Sequence, residues 1–135
     1  MKKEKSCGAI IFKSINGRLN VLLIQQIGGH WGFPKGHVED HETEHQTAIR
    51  EVKEETNIEI KIVGDFRETN SYSPIRDIYK DVIYFIGIPT NNEIKTQASE
   101  ISEATWYPIE EALEKVTFPN DIAILRLAIE YFQKM

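Results

Sequence analysis

Three glutamates close together in the sequence have the clearest chemical meaning. In the segment Arg50-Glu51-Val52-Lys53-Glu54-Glu55, the glutamates stand at i, i+3 and i+4, so on a helix all three carboxylates project from one face. Like charges at i, i+4 destabilise an isolated helix by roughly 0.2–0.5 kcal/mol per pair. A divalent cation between the carboxylates would remove this repulsion, and Mg²⁺ prefers carboxylate and carbonyl oxygens. The spacing therefore indicates a helix that binds a hard divalent cation, with an ordinary solvated surface helix as the alternative.

The same segment resembles a known family motif. The spacing G-x5-E-x7-R-E-U-x-E-E-x-G-U, with U aliphatic, is the Nudix box. The chain matches every fixed position but one, with Gly36, Glu42, Arg50, Glu51, Val52, Glu54, Glu55 and Ile58. Asn57 stands where the pattern has its last Gly, at the end of the helix. That position needs a left-handed conformation, which Asn adopts most readily after Gly, so the departure leaves the predicted metal ligands unchanged.

The resemblance implies hydrolysis of a phosphoanhydride. Such bonds are inert because their negative oxygens repel nucleophiles, so an enzyme must neutralise charge, place a water and accept its proton. The residues alone leave open which glutamate is the base, and the resemblance favours Glu54 or Glu51. Arg50 can fork onto a neighbouring carboxylate and fix its rotamer. Glu54, Glu51 and Arg50 are thus the predicted catalytic residues.

The resemblance also implies the metal ligands. Glu51, Glu54 and Glu55 would hold one to three Mg²⁺ or Mn²⁺ ions. A backbone carbonyl near Lys35 or Gly36 and a glutamate from the loop before a short strand would complete the set. Glu100, six residues ahead of Trp106, is the first candidate for this glutamate and Glu103 the second; either is otherwise a solvated loop charge. The predicted metal ligands are Glu51, Glu54, Glu55, Gly36 and Glu100.

The flanking segments resemble one branch of the family. Residues 6–12 (SCGAIIF), 31–37 (WGFPKGH) and 66–84 are similar to the bis(5′-nucleosyl)-tetraphosphatase (diadenosine tetraphosphate hydrolase) branch. Lys35, His37 and Lys80 would supply cations to a four-phosphate chain. These local cations matter because the net charge of −5 repels polyphosphates globally.

Two aromatic residues are predicted to bind a base. Tyr72 and Phe118 resemble the pair that sandwiches a base in that branch, and stacking on a ring tolerates different bases. Phe118 is about as well interpreted as a hydrophobic staple onto the last helix. We therefore expect weak discrimination between adenine and guanine.

The leading prediction is Mg²⁺-dependent, asymmetric cleavage of diadenosine tetraphosphate to ATP and AMP. The Nudix box residues are shared with other activities of the family. The alternatives are therefore hydrolysis of a nucleoside triphosphate, a nucleotide sugar or an RNA 5′ pyrophosphate. A nucleotide-sensing module without catalysis is a further alternative, although all the metal carboxylates are present.

Composition narrows the class of protein. The 135 residues, 41% apolar and 27% charged, are typical of one soluble globular domain, here 1–135. The single cysteine, Cys7, cannot form an internal disulfide.

No segment approaches the ~20 apolar residues of a membrane span, so we expect a cytoplasmic protein without a membrane partner. No basic block predicts a stable nucleic-acid partner, and the oligomeric state stays open.

The elements that must position these residues are strands and helices in irregular alternation. An Asn16-Gly17 turn predicts a hairpin of strands 6–12 and 19–26. Further strands are predicted at 58–63, 79–88 and 104–107, with a loop at 70–78. Helices are predicted at 43–56, from Pro108 onward, and after a cap at Asn120 or Asp121. This mixture favours α+β or a mixed-sheet sandwich, and the resemblance implies the α/β/α sandwich.

Overall fold

The computed structural model describes residues 2–97 and 99–135, so the predicted domain 1–135 includes two positions, 1 and 98, that lie outside the described residues. Eight strands and three helices follow one another in these ranges. They are β1 (Lys2–Ile15), β2 (Arg18–Gln26), β3 (Trp31–Gly32), β4 (Lys35–His37), α1 (Glu44–Thr56), β5 (Ile60–Ile62), β6 (Glu68–Tyr72), β7 (Ile78–Pro89), β8 (Ile101–Pro108), α2 (Ile109–Lys115) and α3 (Pro119–Gln133).

The strands form a mixed sheet. Its main order is β3-β2-β1-β7-β5, while β4 pairs with β1, β6 with β7 and β8 with β2. The long strands β1 and β7 run parallel, from the pair Lys2–Ile78 to the pair Ile11–Gly87. The other pairings are antiparallel. β1 is therefore the central strand. Strands β4 and β7, which carry predicted site residues, pair directly with it.

Helices cover both faces of the sheet. On one face Ile10 and Phe12 join a buried cluster with Leu125 of α3. On the other face Ile11 packs in a cluster with Val52 of α1. Successive side chains of a strand point to opposite faces, so β1 contributes to both clusters. The predicted α/β/α sandwich is confirmed.

The local signals for the hairpin and the first helix are confirmed. Asn16 and Gly17 have φ values of 51° and 78°, as a two-residue type I′ turn requires. Thr43 caps α1 and forms a reciprocal capping box with Gln46. Asn57 ends α1 with φ of 66°, and its N–H donates to the Lys53 carbonyl. Asparagine thus performs the task of the glycine that the family motif has there.

Two predictions about the second half are wrong. Residues 68–72 form β6, although a loop was predicted from residue 70. The segment is polar, so its own sequence does not look like a strand. It becomes one because its backbone pairs with the apolar strand β7. Neither Asn120 nor Asp121 caps the last helix. It begins at Pro119 with Phe118 as its N-cap residue, without a side-chain cap. Proline suits the first helical position because its φ is fixed there and its missing N–H costs nothing.

The first strand is longer than predicted. β1 begins at Lys2 rather than at Ser6, because its pairing with β7 continues to Ile78.

Within the described ranges, the helices are all too short or too polar to cross a membrane.

Candidate active site

Arg50 organises the acidic face of α1. Its Nε donates to Glu42 Oε2 at 2.6 Å, and its Nη1 donates to Glu51 Oε1 at 2.7 Å and to both Glu54 oxygens at 3.2 Å. Its Nη2 donates to the His37 carbonyl at 3.0 Å. The Arg50 hydrogen bond lowers the pKa of Glu42 to about 2. One guanidinium therefore fixes three carboxylates and ties α1 to the end of β4.

Glu55 lies beneath this face and is only 4% exposed. Burial raises its pKa to about 8, and the charge of Glu51 adds to this, whereas the hydrogen bond from the Lys35 N–H lowers it. That N–H donates to Glu55 Oε1 at 3.0 Å. Glu55 thus joins α1 to β4, and the positive charge of Lys35 lowers its pKa without offsetting the effect of burial.

Gly36 allows the Glu51 carboxylate to lie against the backbone of β4. A Cβ at Gly36 would stand 2.1 Å from Glu51 Cδ, so any other residue would displace the carboxylate. Because side chains alternate along a strand, Lys35 and His37 point to the opposite side of β4. The strand therefore separates the carboxylates from the other part of the site.

Glu100 approaches the acidic face from the loop after β7. Its negative charge contributes to the raised pKa of both Glu51 and Glu55. Nearby, the Gln97 N–H donates to the Glu55 carbonyl at 3.3 Å. Glu103 instead lies in β8, where its carboxylate accepts from Thr105 Oγ1 at 2.9 Å. The geometry favours Glu100 over Glu103 as the additional carboxylate of the acidic face. The metal-binding role of Glu100 stays a prediction.

The donor set suits a hard divalent cation. Within residues 2–97 and 99–135, no three His, Cys, Asp or Glu side chains are already gathered as a metal cluster, because Arg50 holds Glu51 and Glu54 while Glu55 faces the Lys35 N–H. Burial raises the pKa of Glu51, and the charges of Glu54 and Glu100 add to this effect. A divalent cation would relieve this surplus of negative charge, and oxygen donors are the ligands that Mg²⁺ prefers.

A cleft of about 640 Å³ opens on the other side of β4. Three predicted substrate residues, Lys35, Tyr72 and Phe118, line it. Phe118 is 48% exposed, and its ring lies 5.2 Å from that of His30. Such exposure fits a stacking surface better than a hydrophobic staple.

The other two predicted cations lie apart from the cleft lining. Lys80 pairs with Tyr72 across β6 and β7, and its Nζ lies 3.7 Å from Glu4 Oε2. His37 Nε2 lies 3.3 Å from the same oxygen. Sequence reasoning missed Glu4, because an acidic residue among the lysines of the N-terminal segment is typical of a solvated strand end. The structure thus brings Lys80 and His37 together on one carboxylate.

Sequence reasoning also missed a polar group on the cleft wall. Asp121 is only 8% exposed, and its Oδ1 accepts from Asn70 Nδ2 at 3.3 Å. Asn120 Nδ2 donates in turn to Asn70 Oδ1 at 3.2 Å. All three residues line the cleft together with His30. No local pattern predicts this network, since its members lie on β6 and α3.

Comparisons with known proteins agree with this geometry. A family model described as the NUDIX domain matches residues 3–127. The asymmetrical bis(5′-nucleosyl)-tetraphosphatase of Mus musculus is 34% identical, over 90% of each chain. The chain is also similar to the crystal structure of a Caenorhabditis elegans Ap4A hydrolase binary complex, with a TM-score of 0.88 and 30% identity over 98% of this chain and 99% of that one.

Another relative is much longer than this chain. Nudix hydrolase 6 of Arabidopsis thaliana is 40% identical over 98 residues, which are 67% of this chain. The match spans about a third, 35%, of the Arabidopsis protein.

Proposed function

The chain belongs to the Nudix family, whose hydrolases generally use divalent metals, and on this premise we propose that it cleaves a dinucleoside tetraphosphate asymmetrically. The products would be a nucleoside triphosphate and a monophosphate, ATP and AMP for the diadenosine compound. The asymmetrical bis(5′-nucleosyl)-tetraphosphatases of Mus musculus and Caenorhabditis elegans align over most of this chain and most of their own length. The proposed cofactor is Mg²⁺, with Mn²⁺ as a substitute.

One observation carries the proposal: β4 joins the acidic face of α1 to the cleft. Gly36 admits the Glu51 carboxylate on one side, while Lys35 lines the cleft on the other. The Lys35 N–H also holds Glu55. A nucleoside in the cleft would therefore extend its phosphates along Lys35 toward the carboxylates.

The cleft offers a binding mode for one nucleoside. Tyr72 and Phe118 expose 37% and 48% of their surface and line the same cleft. Stacking on each ring is worth roughly 1–3 kcal/mol. His37 and Lys80 lie on the same side of the sheet as Tyr72, where they would meet the more distant phosphates. A longer phosphate chain would thus reach these side chains, which Glu4 holds in place, whereas a shorter one would not.

The acidic face supplies the groups for hydrolysis. Glu51, Glu55, Glu100 and the Gly36 carbonyl would hold Mg²⁺, which supplies charge neutralisation and a more acidic water when bound. Glu54 is 49% exposed at its side chain, so its carboxylate can reach a water and take its proton. Glu51 is enclosed by Gly36 and Arg50. We therefore assign Glu54 as the general base and Glu51 as a ligand.

Arg50 acts on the reaction through the carboxylates it holds. Its hydrogen bonds set the rotamers of Glu51 and Glu54 before substrate binds. A planar guanidinium can bridge several oxygens in this way, whereas a lysine ammonium cannot. Arg50 is therefore a positioning residue in this proposal.

A substrate panel with mass analysis of the products tests the proposal. The purified protein would be given diadenosine tetraphosphate, diadenosine triphosphate, ADP-ribose, ATP and 5′-triphosphorylated RNA with Mg²⁺. We expect the highest kcat/KM for the tetraphosphate, with ATP and AMP as products. Reactions in ¹⁸O-labelled water identify the phosphorus attacked. Excess EDTA should stop hydrolysis, and Mg²⁺ or Mn²⁺ should restore it.

Two results would overturn different parts of the proposal. ADP as the sole product, or a higher kcat/KM for ADP-ribose or ATP, would replace the substrate assignment by another activity of the family. Tight nucleotide binding with no hydrolysis of any compound would instead identify a sensing module. Full activity in EDTA would exclude the metal-dependent mechanism.

A further inference from the structure

We propose that Asp121 determines base specificity by accepting a hydrogen bond from an amino group on the edge of the bound base. The inference rests on the proposed function, because it places a base between Tyr72 and Phe118. It adds a purine with an exocyclic amino group as the ligand class of the cleft. Stacking alone would give little discrimination among bases.

The position of Asp121 supports an edge-on contact. Asp121 lies three residues after Phe118, and its partner Asn70 lies two residues before Tyr72 on the same face of β6. The hydrogen bond between Asn70 and Asp121 therefore joins the two elements that carry the rings. A base stacked on either ring would direct one edge at this pair.

One oxygen of Asp121 is left for a ligand. Oδ1 accepts from Asn70, whereas Oδ2 accepts no hydrogen bond from any side chain or backbone group in the described part of the chain. A Cβ at Gly32 would lie 3.5 Å from Oδ2, so the missing side chain of Gly32 leaves space beside that oxygen. Both residues line the cleft. A residue more than nine-tenths buried thus presents an unused acceptor to the cavity.

The chemistry of a carboxylate oxygen sets the preference. An ionised carboxylate only accepts hydrogen bonds, so it attracts an amino group and repels a carbonyl oxygen. Adenine carries its amino group at C6 and guanine carries its amino group at C2, whereas hypoxanthine has a carbonyl oxygen at C6 and only hydrogen at C2. Burial raises the pKa of Asp121, while Asn70, Lys35 and His30 lower it. Mildly alkaline buffer favours the ionised form.

The substitution Asp121→Asn tests the inference because it reverses the polarity of the free atom. Asn70 would continue to donate to the oxygen of the new amide, since its own oxygen accepts from Asn120. The amide nitrogen would then take the place of Oδ2 and donate. The matched control is Glu130→Gln, on the same helix, where the Glu130 carboxylate accepts from Lys134 Nζ on the surface.

Two measurements give the specificity. Dissociation constants of ATP, GTP and ITP are measured by calorimetry in EDTA, so that no hydrolysis occurs. Values of kcat/KM are measured for the diadenosine, diguanosine and diinosine tetraphosphates with Mg²⁺. A hydrogen bond to a charged group predicts a preference of about tenfold for an amino purine over hypoxanthine. Asp121→Asn should abolish or invert this ratio, and Glu130→Gln should leave it unchanged.

The outcomes separate the inference from its alternatives. If Asp121 only stabilises the start of α3, Asp121→Asn will weaken all three nucleotides equally and lower Tm. Equal binding of ATP, GTP and ITP by the wild type would also overturn the inference. If the binding ratio is present but no tetraphosphate is cleaved, the proposed function fails and the role of Asp121 stands.

Discussion

The acidic face of α1 and the cleft share strand β4 but are assembled in different ways. The carboxylates of Glu51, Glu54 and Glu55 come from little more than one helical turn, and one arginine fixes two of them. The cleft instead combines side chains from distant segments, such as Asn70 and Asp121, which are 51 residues apart. The first site depends on local spacing, whereas the second depends on the whole fold. Chemistry and substrate choice should therefore respond to different substitutions.

The two regions also differ in charge. On the acidic face, burial and mutual repulsion raise the pKa of Glu51 and Glu55, so the face favours cations. The cleft instead has charges of both signs, on Lys35 and Asp121, beside its two exposed aromatic rings, which suits a flat ring joined to an anionic chain. The nucleotide would place its phosphates at the boundary between the two regions.

Loss of a carboxylate on the acidic face should have the largest effect. We expect Glu54→Gln to lower kcat by about 10²–10⁴-fold, the usual contribution of a general base, and Glu55→Gln to abolish turnover through loss of a metal ligand. KM for the tetraphosphate should change much less in the Glu54 variant. Steady-state kinetics with Mg²⁺ measures both parameters.

Glu59→Gln is the matched control for these variants. Glu59 follows α1 and contacts Lys53 on the surface, so its loss should leave kcat unchanged. Circular dichroism should show intact folds, because removing a charge from a repelling cluster does not destabilise the metal-free protein. A kcat near the wild-type value in both Glu54→Gln and Glu55→Gln would contradict the metal-site assignment.

Substitutions of the cleft aromatics should have a smaller and different effect. Tyr72→Ala removes a stacking surface, which predicts a roughly tenfold rise in KM with little change in kcat. Phe118→Ala should behave in the same way, while Tyr72→Phe keeps the ring and serves as the control. An equal fall of kcat in Tyr72→Ala and Glu54→Gln would show that the two regions are not separable.

The sequence predicted the locally specified features well. The helix α1, its left-handed end at Asn57 and the turn at Asn16-Gly17 each depend on a few adjacent residues. The irregular mixture of strands and helices and the family resemblance predicted the sandwich. The positions of Lys35, Tyr72 and Phe118 around one cleft were also expected, since the resemblance grouped them as substrate residues.

Features that depend on pairing between distant segments were missed. β6 is polar, so only its pairing with β7 makes it a strand. Asp121 looked like a helix cap, whereas its side chain bonds to Asn70 across the cleft. Glu4 gained its contacts with His37 and Lys80 because β1 extends to Lys2. Single-chain patterns contain no information about such partners.

An effect on stability rather than on kinetics is also expected. It tests whether Glu55 is protonated in the metal-free protein. The pKa of Glu55 rises from 4.5 to about 8 on folding, so the folded state binds more protons than the unfolded state between these values. Stability of the metal-free protein should therefore fall as pH rises from 4.5 to 8 and then level off. Glu42 and Glu44, whose pKa values are lowered to about 2, titrate below this window.

Thermal unfolding in EDTA at several pH values measures this dependence. The Tm of the wild type should fall further than that of Glu55→Gln across the window, because glutamine does not titrate. Added Mg²⁺ should raise the wild-type Tm more at pH 8 than at pH 5, since bound metal favours the ionised carboxylates. Identical pH profiles for wild type and Glu55→Gln would show that Glu55 is already charged in the metal-free fold. The acidic face would then hold its carboxylates without a cation, and its contrast with the cleft would be one of shape rather than of charge.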